Sequence, residues 1–287
     1  MPETVPPLRG LPAVSIAHRV RSFLLALAIP AAALSAPVAA GLSAGASGHG
    51  GGPSFGAPAV AQLTDTVEDS PNWGGYMATG TTFRSVQATF TVPELDCTVT
   101  PGSTRSPALV AEWAGLDSVT VEQDGISGQC ADGHAEYAAW YEMFPKDPVY
   151  PGVRISAGNT IEVSVRYVTA KGEYQLILDN LSSGKGFTKW RRCSARSCAN
   201  ASAEVITEAP GKSVAAKTAY YPLADYGSTS FTAISITDAA GQSGAFTSAY
   251  WQVTRFAMQD HAGRVKAAIG SLTGDGDTFA TYWEHEN

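Results

Sequence analysis

From about residue 70 to the C-terminus, the chain is built of short runs in which apolar and polar residues alternate. In the segment 160–167 (TIEVSVRY) the odd positions are apolar and most even positions are polar, which is the period of a β-strand with one buried face. Glycine-containing turn sequences such as SAGN, AKGE and SSGKG separate the runs. About a dozen strands without helical crossovers predict an all-β protein, a β-sandwich of two antiparallel sheets whose concave face forms a cleft.

The predicted strands are NWGGYMAT (72–79), FRSVQATFTVP (83–93), ALVAEWAGL (108–116), VTVEQDG (119–125), AEYAAWYEMF (135–144), TIEVSVRYV (160–168), EYQLILDNL (173–181), SAEVITE (202–208), SFTAISIT (230–237), AYWQVTRFAM (249–258) and TFATYW (278–283). The segment 262–272 has a weak helical pattern, but Gly270 and the flanking turns favour a strand or a loop there.

The N-terminal region has a different composition from the strand-rich part. Residues 1–40 combine arginines with the apolar stretch FLLALAIPAAALSAPVAA, which is typical of a secretion signal, and prolines interrupt a span already short for a bilayer crossing. Residues 41–67 are mostly Gly, Ala, Ser and Pro and predict a linker or a short pro-segment. We therefore expect a secreted, extracellular protein with one β-sandwich domain at 68–287.

The charge of the chain narrows the choice of partners. Removing Arg9, Arg19, Arg21 and Glu3 with the signal takes away a net charge of +2, so the formal charge of −7 becomes −9. An acidic surface argues against nucleic acid or an anionic membrane as a partner. It suits a monomeric protein that stays folded in acid, where protonation of carboxylates brings the net charge towards zero.

Four cysteines in an exported chain predict two disulfides rather than a metal site, because the closely spaced CxxC pairs of a zinc site are missing. Cys193 and Cys198 lie in CSARSC, where they can close a tight loop, which leaves Cys97 to pair with Cys130.

The familiar nucleophilic and metal-dependent chemistries have no motif in this sequence. It contains neither GxSxG nor HExxH, and its five histidines fall in the leader, the linker, loops or the terminus. His134 is the nearest to the polar strands, and a solvated position is favoured for it. We expect no cofactor and no metal, which leaves amide and carboxyl chemistry.

Candidate residues for that chemistry lie on predicted strands. Glu204 and Glu208 share one face with Ile206 between them, and a solvent-facing surface explains this pattern from the residues alone. Gln123 points to the same side as Val121, so it lies either in a polar cleft or in a buried network, and the spacing does not decide between them.

Seven motifs in order resemble the glutamic peptidase, or eqolisin, family over residues 70–283. They are NWGGY (72–76), FTVP (90–93), WAGLD (113–117), EQDG (122–125), YAAWYEMFP (137–145), SAEVITE (202–208) and LADYGSTSF (223–231). The resemblance implies a concanavalin A-like sandwich, no cofactor, and pepstatin-insensitive hydrolysis of protein or peptide substrates in acid.

By motif position, the resemblance assigns the catalytic pair to Gln123 and Glu208, not to Glu204. A carboxylate can take a proton from the attacking water and return it to the leaving nitrogen. A primary amide can donate an N–H to the developing oxyanion. The substrate-binding residues implied are Trp73, Trp113, Asp117 and Glu142.

Several positions depart from the family pattern. Glu122 and Asp124 place two extra carboxylates beside Gln123, and we expect them to raise the pKa of Glu208 if they lie near it.

Two other functions compete with a peptidase. One is a lectin-like sandwich with a tryptophan-lined face, and the other is a glycoside hydrolase that uses two of Glu142, Glu204 and Glu208.

Overall fold

The computed structural model describes residues 66–193, 198–212, 219–273 and 275–287, and every described element is a strand. The predicted signal and almost all of the predicted linker lie outside these residues. The strands are β1 Thr66–Ser70, β2 Trp73–Thr79, β3 Phe83–Thr91, β4 Ala108–Leu116, β5 Glu122–Ala131, β6 His134–Met143, β7 Thr160–Val168, β8 Glu173–Asn180, β9 Lys185–Arg192, β10 Ser202–Glu208, β11 Ser228–Asp238, β12 Ser243–Gly244, β13 Gln252–Gln259, β14 Val265–Ile269 and β15 Phe279–Trp283.

The strands hydrogen-bond in one continuous path, β6-β5-β4-β10-β2-β13-β14-β15-β11-β3-β7-β8-β9. Each strand on this path pairs antiparallel with its neighbours. Strand β1, which lies off the path, pairs parallel with β13. The path folds back on itself, so that β4, β5 and β10 face β3, β7 and β8. The all-β prediction is therefore confirmed, and β13 and β14 join the two layers into a nearly closed sheet.

The core between the layers consists of the inward-facing residues of both halves of the path. Tyr76, Leu116, Val163, Leu176 and Phe231 are among its fully buried members. Strands β6 and β9, at the two ends of the path, meet through Tyr141, whose ring lies 5.8 Å from that of Phe187 and whose hydroxyl accepts a hydrogen bond from Arg191. Burial of this apolar surface is the main force that holds the two layers together.

Most of the predicted strands are present, with differences at their ends. Strand β5 begins at Glu122 rather than at residue 119 and continues past the predicted end at Gly125 to Ala131. The doubtful segment 262–272 contains β14. Three strands were not predicted, namely β1, β9 and β12.

Both predicted disulfides are present. Cys97 pairs with Cys130, and Cys193 pairs with Cys198. The first bond joins the loop after β3 to the end of β5, and the second joins the end of β9 to the segment before β10. No helix in the described part of the chain is long and apolar enough to cross a membrane.

Candidate active site

Strands β2, β10, β4, β5 and β6 are neighbours, and one face of them points away from the core between the layers. We call it the site face. Alternation along each strand puts residues of one parity on this face, as the sequence predicts. Its members are Trp73, Met77, Trp113, Gly115, Gln123, Trp140, Glu142, Glu204, Ile206 and Glu208.

The side chain of Glu208 is fully buried, and both of its oxygens accept hydrogen bonds. Nδ2 of Asn72 donates to Oε1 at 2.9 Å, and the indole Nε1 of Trp113 donates to Oε2 at 2.9 Å. Asn72 lies in the turn before β2, where the Ser70 hydroxyl accepts from the main-chain N–H of Trp73 at 3.0 Å. Two donors, one from the turn before β2 and one from β4, therefore hold the carboxyl in one orientation.

Gln123 and Glu142 form the second part of the site. They lie directly opposite each other on β5 and β6, and Nε2 of Gln123 donates to Oε2 of Glu142 at 2.7 Å. Both side chains are fully buried. Gln123 therefore belongs to a buried polar network on the site face, which answers the question that the spacing left open.

Two glycines on the site face make room for Trp113. A Cβ on Gly115 would lie 2.9 Å from Cζ3 of Trp113 and 3.2 Å from Cβ of Gln123, so the indole lies beside the Gln123 position while its Nε1 reaches Glu208. A Cβ on Gly125 would lie 2.6 Å from Cβ of Trp113 and 2.2 Å from the carbonyl oxygen of Glu112. The glycine of the EQDG motif is thus required by close packing of β5 on β4.

The pKa of Glu208 is raised well above its ordinary value of 4.5, mainly because burial disfavours the charged form. The negative charge of Glu142 raises it further, whereas donors from Trp113, Asn72 and Trp73 lower it. Glu122 and Asp124 do not contribute, because they point to the opposite face of β5, into the core. The condition on which we expect them to raise the pKa of Glu208, that they lie near it, is therefore not met.

Glu122 and Asp124 are nevertheless buried. Burial, together with the charge of Asp117, raises the pKa of Glu122 to about 9, and its Oε1 lies 3.1 Å from Sγ of Cys198. Burial also raises the pKa of Asp124 well above its ordinary value. The protonated form is favoured for both residues, so they add little negative charge to the core in acid.

The surface-facing interpretation of the two glutamates on β10 is wrong. Glu204 and Glu208 do share a face with Ile206, but all three are fully buried. Glu204 lies level with Gly115 and Met77, near the opposite end of β10 from Glu208. Burial raises its pKa well above the ordinary value.

Asp117 follows β4 with a left-handed backbone (φ 69°). Its Oδ2 accepts from the main-chain N–H groups of Ala199 and Asn200 at 2.6 and 3.0 Å, and its Oδ1 accepts from that of Val119 at 3.2 Å. These contacts tie the segment before β10 to the end of β4. The side chain therefore anchors the strand that carries Glu208.

The remaining predicted site residues lie close together. The rings of Trp73 and Trp113 meet edge to face with centroids 5.1 Å apart, and both are buried beside Glu208. Sequence reasoning missed Asn72, although it opens the NWGGY motif, because an asparagine before a strand is an ordinary turn residue. It also missed Tyr150 and Tyr220, whose pKa values are raised by burial and, secondarily, by the charges of Glu142 and Glu208 respectively.

The structure thus defines an all-β protein with a buried amide–carboxyl site on one face of its sheet. The model of the peptidase A4 family matches residues 71–277, and the chain belongs to this family. The resemblance inferred from the motifs is therefore confirmed.

Two curated relatives support the family assignment. Scytalidopepsin B from Scytalidium lignicola is 33% identical over 149 residues, which cover 50% of this chain and 52% of that protein. Aspergillopepsin-2 from Aspergillus niger is 30% identical over 148 residues, covering 44% and 50%. The chain spans about half the length of the curated relatives that it matches.

Solved structures match over a longer part of the chain. The crystal structure of scytalido-glutamic peptidase with a transition state analog inhibitor has a TM-score of 0.62 and 26% identity, and the match covers 75% of this chain and 99% of that chain. The structure of aspergilloglutamic peptidase from Aspergillus niger has a TM-score of 0.52 and 24% identity, covering 62% and 99%, which shows the shared fold.

Proposed function

We propose that the protein is a secreted acid endopeptidase in which Glu208 is the general acid and base and Gln123 stabilises the oxyanion. The observation that carries this proposal is the buried carboxyl of Glu208, fixed by Asn72 and Trp113, with the Gln123–Glu142 pair on the same face. The structures of scytalido-glutamic peptidase with a transition state analog and of SCP-B, a member of the eqolisin family, with the tripeptide Ala-Ile-His support peptides as the ligand class.

The reaction can be written with these groups alone. The two oxygens of an ionised Glu208 offer about four lone pairs, more than the donors of Asn72 and Trp113 use, so the carboxylate can take a proton from water. The water oxygen then bonds to the scissile carbonyl carbon, while the free N–H of Gln123 donates to the oxyanion. Glu208 returns the proton to the amide nitrogen, the C–N bond breaks, and a carboxylic acid and an amine leave.

Burial of the site determines the surroundings in which charge develops during the reaction. Gln123, Glu142 and Glu208 have no surface in contact with solvent. A peptide bound against these side chains is therefore in a desolvated environment, where a fixed donor stabilises charge more strongly than in water.

The two competing functions are weaker on this geometry. The tryptophans of the site face are fully buried, so they offer no exposed ring for a sugar. Glu204 and Glu208 are four residues apart on one strand, about 13 Å between their Cα atoms, so this pair does not match the carboxyl spacing of about 5–9.5 Å in glycoside hydrolases. The charges of Glu142 and Glu208 do interact, and a hydrolase that used this pair would keep its activity in Gln123→Ala, which a peptidase would not. We further infer that the two layers correspond to a concanavalin A-like sandwich, and that the protein acts as an extracellular monomer without a membrane or nucleic-acid partner.

The test is digestion of denatured casein from about pH 3 to about pH 6 in the presence of pepstatin, since burial raises the pKa of Glu208 and only its ionised form can act as the base. We expect Glu208→Gln to abolish digestion, and Gln123→Ala to lower kcat by about 10²–10³, the value of one oxyanion donor. Glu94→Gln, an exposed carboxyl in the loop after β3, is the matched control and should digest at the wild-type rate. Full activity of both site variants would refute the assignment.

A further inference from the structure

Glu142 is buried and hydrogen-bonded to Gln123, which is more than a residue that only lines a substrate cleft requires. It is fully buried, and its Oε2 accepts the 2.7 Å hydrogen bond from Gln123. The two residues are directly paired across β5 and β6, so the backbone register fixes their distance. The contact therefore belongs to the architecture of the site rather than to a flexible surface.

This contact determines which end of the Gln123 amide faces the reaction. An ionised carboxylate only accepts hydrogen bonds, so the NH₂ group of the amide must face Glu142. One N–H is then used by Glu142, and the other remains available for an oxyanion. If the amide rotated by half a turn, its carbonyl oxygen would take the place of that N–H and would repel the oxyanion instead of stabilising it.

Glu142 also acts on Glu208 through its charge. Two carboxyls in one buried site do not readily ionise together, so they titrate as a coupled pair. Among the described residues, the charge of Glu208 raises the pKa of Tyr220, and the charge of Glu142 raises that of Tyr150. Tyr221 interacts with Tyr150, and Lys212 lies 5.7 Å from the Tyr221 ring centroid. A negative charge on Glu142 therefore favours retention of a proton by Glu208.

We propose that Glu142 is a positioning residue whose carboxylate orients the Gln123 amide and whose charge keeps Glu208 able to carry the catalytic proton. The inference rests on the proposed peptidase function and extends it, because it makes the pH range of activity a property of two carboxyls instead of one.

Two variants separate the two effects. In Glu142→Gln the new amide oxygen can still accept from Gln123, so the orientation is kept and only the charge is lost. We expect kcat at the variant's own optimum to stay within about tenfold of wild type, and the pH profile of kcat/KM to move about one unit towards acid, because removing a like charge lowers the pKa of Glu208. In Glu142→Ala the acceptor is lost, so kcat should fall about 10²–10³ with little change in KM.

Glu112→Gln is the matched control, since Glu112 is equally buried but lies on the opposite face of β4. Over the acid range in which both proteins stay folded, its pH profile of kcat/KM should coincide with that of wild type. A Glu142→Gln profile that also coincides with wild type, or a Glu142→Ala variant with raised KM and unchanged kcat, would overturn the proposal, and the second result would mark Glu142 as a substrate contact.

A measurement that does not depend on activity distinguishes failure of the Glu142 proposal from failure of the peptidase proposal. The carboxyl carbon of Glu208 can be titrated by NMR in wild type and in Glu142→Gln. We expect the Glu208 titration to move to lower pH in the variant, and an unmoved titration would contradict the electrostatic part of the inference. Full activity of Glu208→Gln would instead refute the peptidase mechanism, whatever the titration shows.

Discussion

Glu112 allows the cost of burying a carboxyl to be measured away from the proposed catalytic residues. It is fully buried on the core side of β4, where the Thr229 hydroxyl donates to its Oε1 at 3.2 Å. Burial raises its pKa from 4.5 to about 8, and the Thr229 hydrogen bond offsets only part of this rise. We predict that Glu112→Gln makes the protein less sensitive to a rise in pH.

The sign follows from proton linkage. Because the pKa of Glu112 is higher in the folded state than in the unfolded state, its contribution is intact below about pH 4.5 and is lost as the pH rises towards 8. A shift of this size corresponds to about 5 kcal/mol over the whole window, of which about 3 kcal/mol is lost by pH 7. Glutamine does not titrate, so the variant avoids this loss.

The substitution also has a cost that does not depend on pH. Oε1 can still accept from Thr229, but the new Nε2 takes the place of Oε2, which has no hydrogen-bond partner among the described residues. An unpaired buried donor costs about 1–3 kcal/mol. We therefore expect the variant to be less stable than wild type at about pH 4. Between about pH 4 and pH 7, its free energy of unfolding should rise by about 3 kcal/mol relative to that of wild type.

Equilibrium urea denaturation followed by tryptophan fluorescence, at about pH 4, 5.5 and 7, gives the free energies of unfolding. The decisive quantity is the change with pH of the difference between variant and wild type. A difference that stays constant within about 1 kcal/mol would refute the argument that burial of this carboxyl governs pH sensitivity. Glu94→Gln controls for the loss of a carboxylate at the surface.

Two further predictions concern the surroundings of Glu208. Asn72→Ala removes a donor that lowers the pKa of Glu208, so the acid limb of the kcat/KM profile should move to higher pH. We also expect a loss of about tenfold or more in kcat/KM. An unmoved acid limb would show that the 2.9 Å contact between Asn72 and Glu208 is not maintained in solution. Gly115→Ala places a methyl group 2.9 Å from Trp113, so we expect a lower Tm from overpacking of about 1–3 kcal/mol and a lower kcat as the indole leaves Glu208. Wild-type Tm and kcat in that variant would contradict the close packing.

Strand faces were predictable from the sequence, but their surroundings were not. Alternation correctly placed Gln123 with Val121, since both side chains lie against the Gly115 position, and placed Glu204 with Glu208. It could not show that the site face is buried, because period-two patterns report sidedness and not what covers each side. The motif order assigned the catalytic role to Glu208, and the hydrogen bonds from Asn72 and Trp113 are the structural facts that the sequence alone did not supply.

The missed strands have a common physical explanation. Strand β9 (KGFTKWRR) is rich in basic residues because it forms an edge of the sheet, where charged side chains discourage further pairing. Strand β12 is only two residues long, and β1 is an added strand with four exposed residues. Edge strands bury little apolar surface, so a search for alternating apolar residues does not detect them.

The buried carboxyls connect the stability of the fold to the conditions in which it would work. At pH 7, Glu112 and Glu122 each cost about 3 kcal/mol relative to acid, which together is comparable with a total folding free energy of about 5–15 kcal/mol. Lys266 does not offset this loss, since its pKa is lowered to about 8 and its burial becomes less costly only above that pH. Loss of activity near neutral pH can therefore arise from unfolding as well as from the site. Only a loss that occurs without a change in tryptophan fluorescence reports on Glu142 and Glu208.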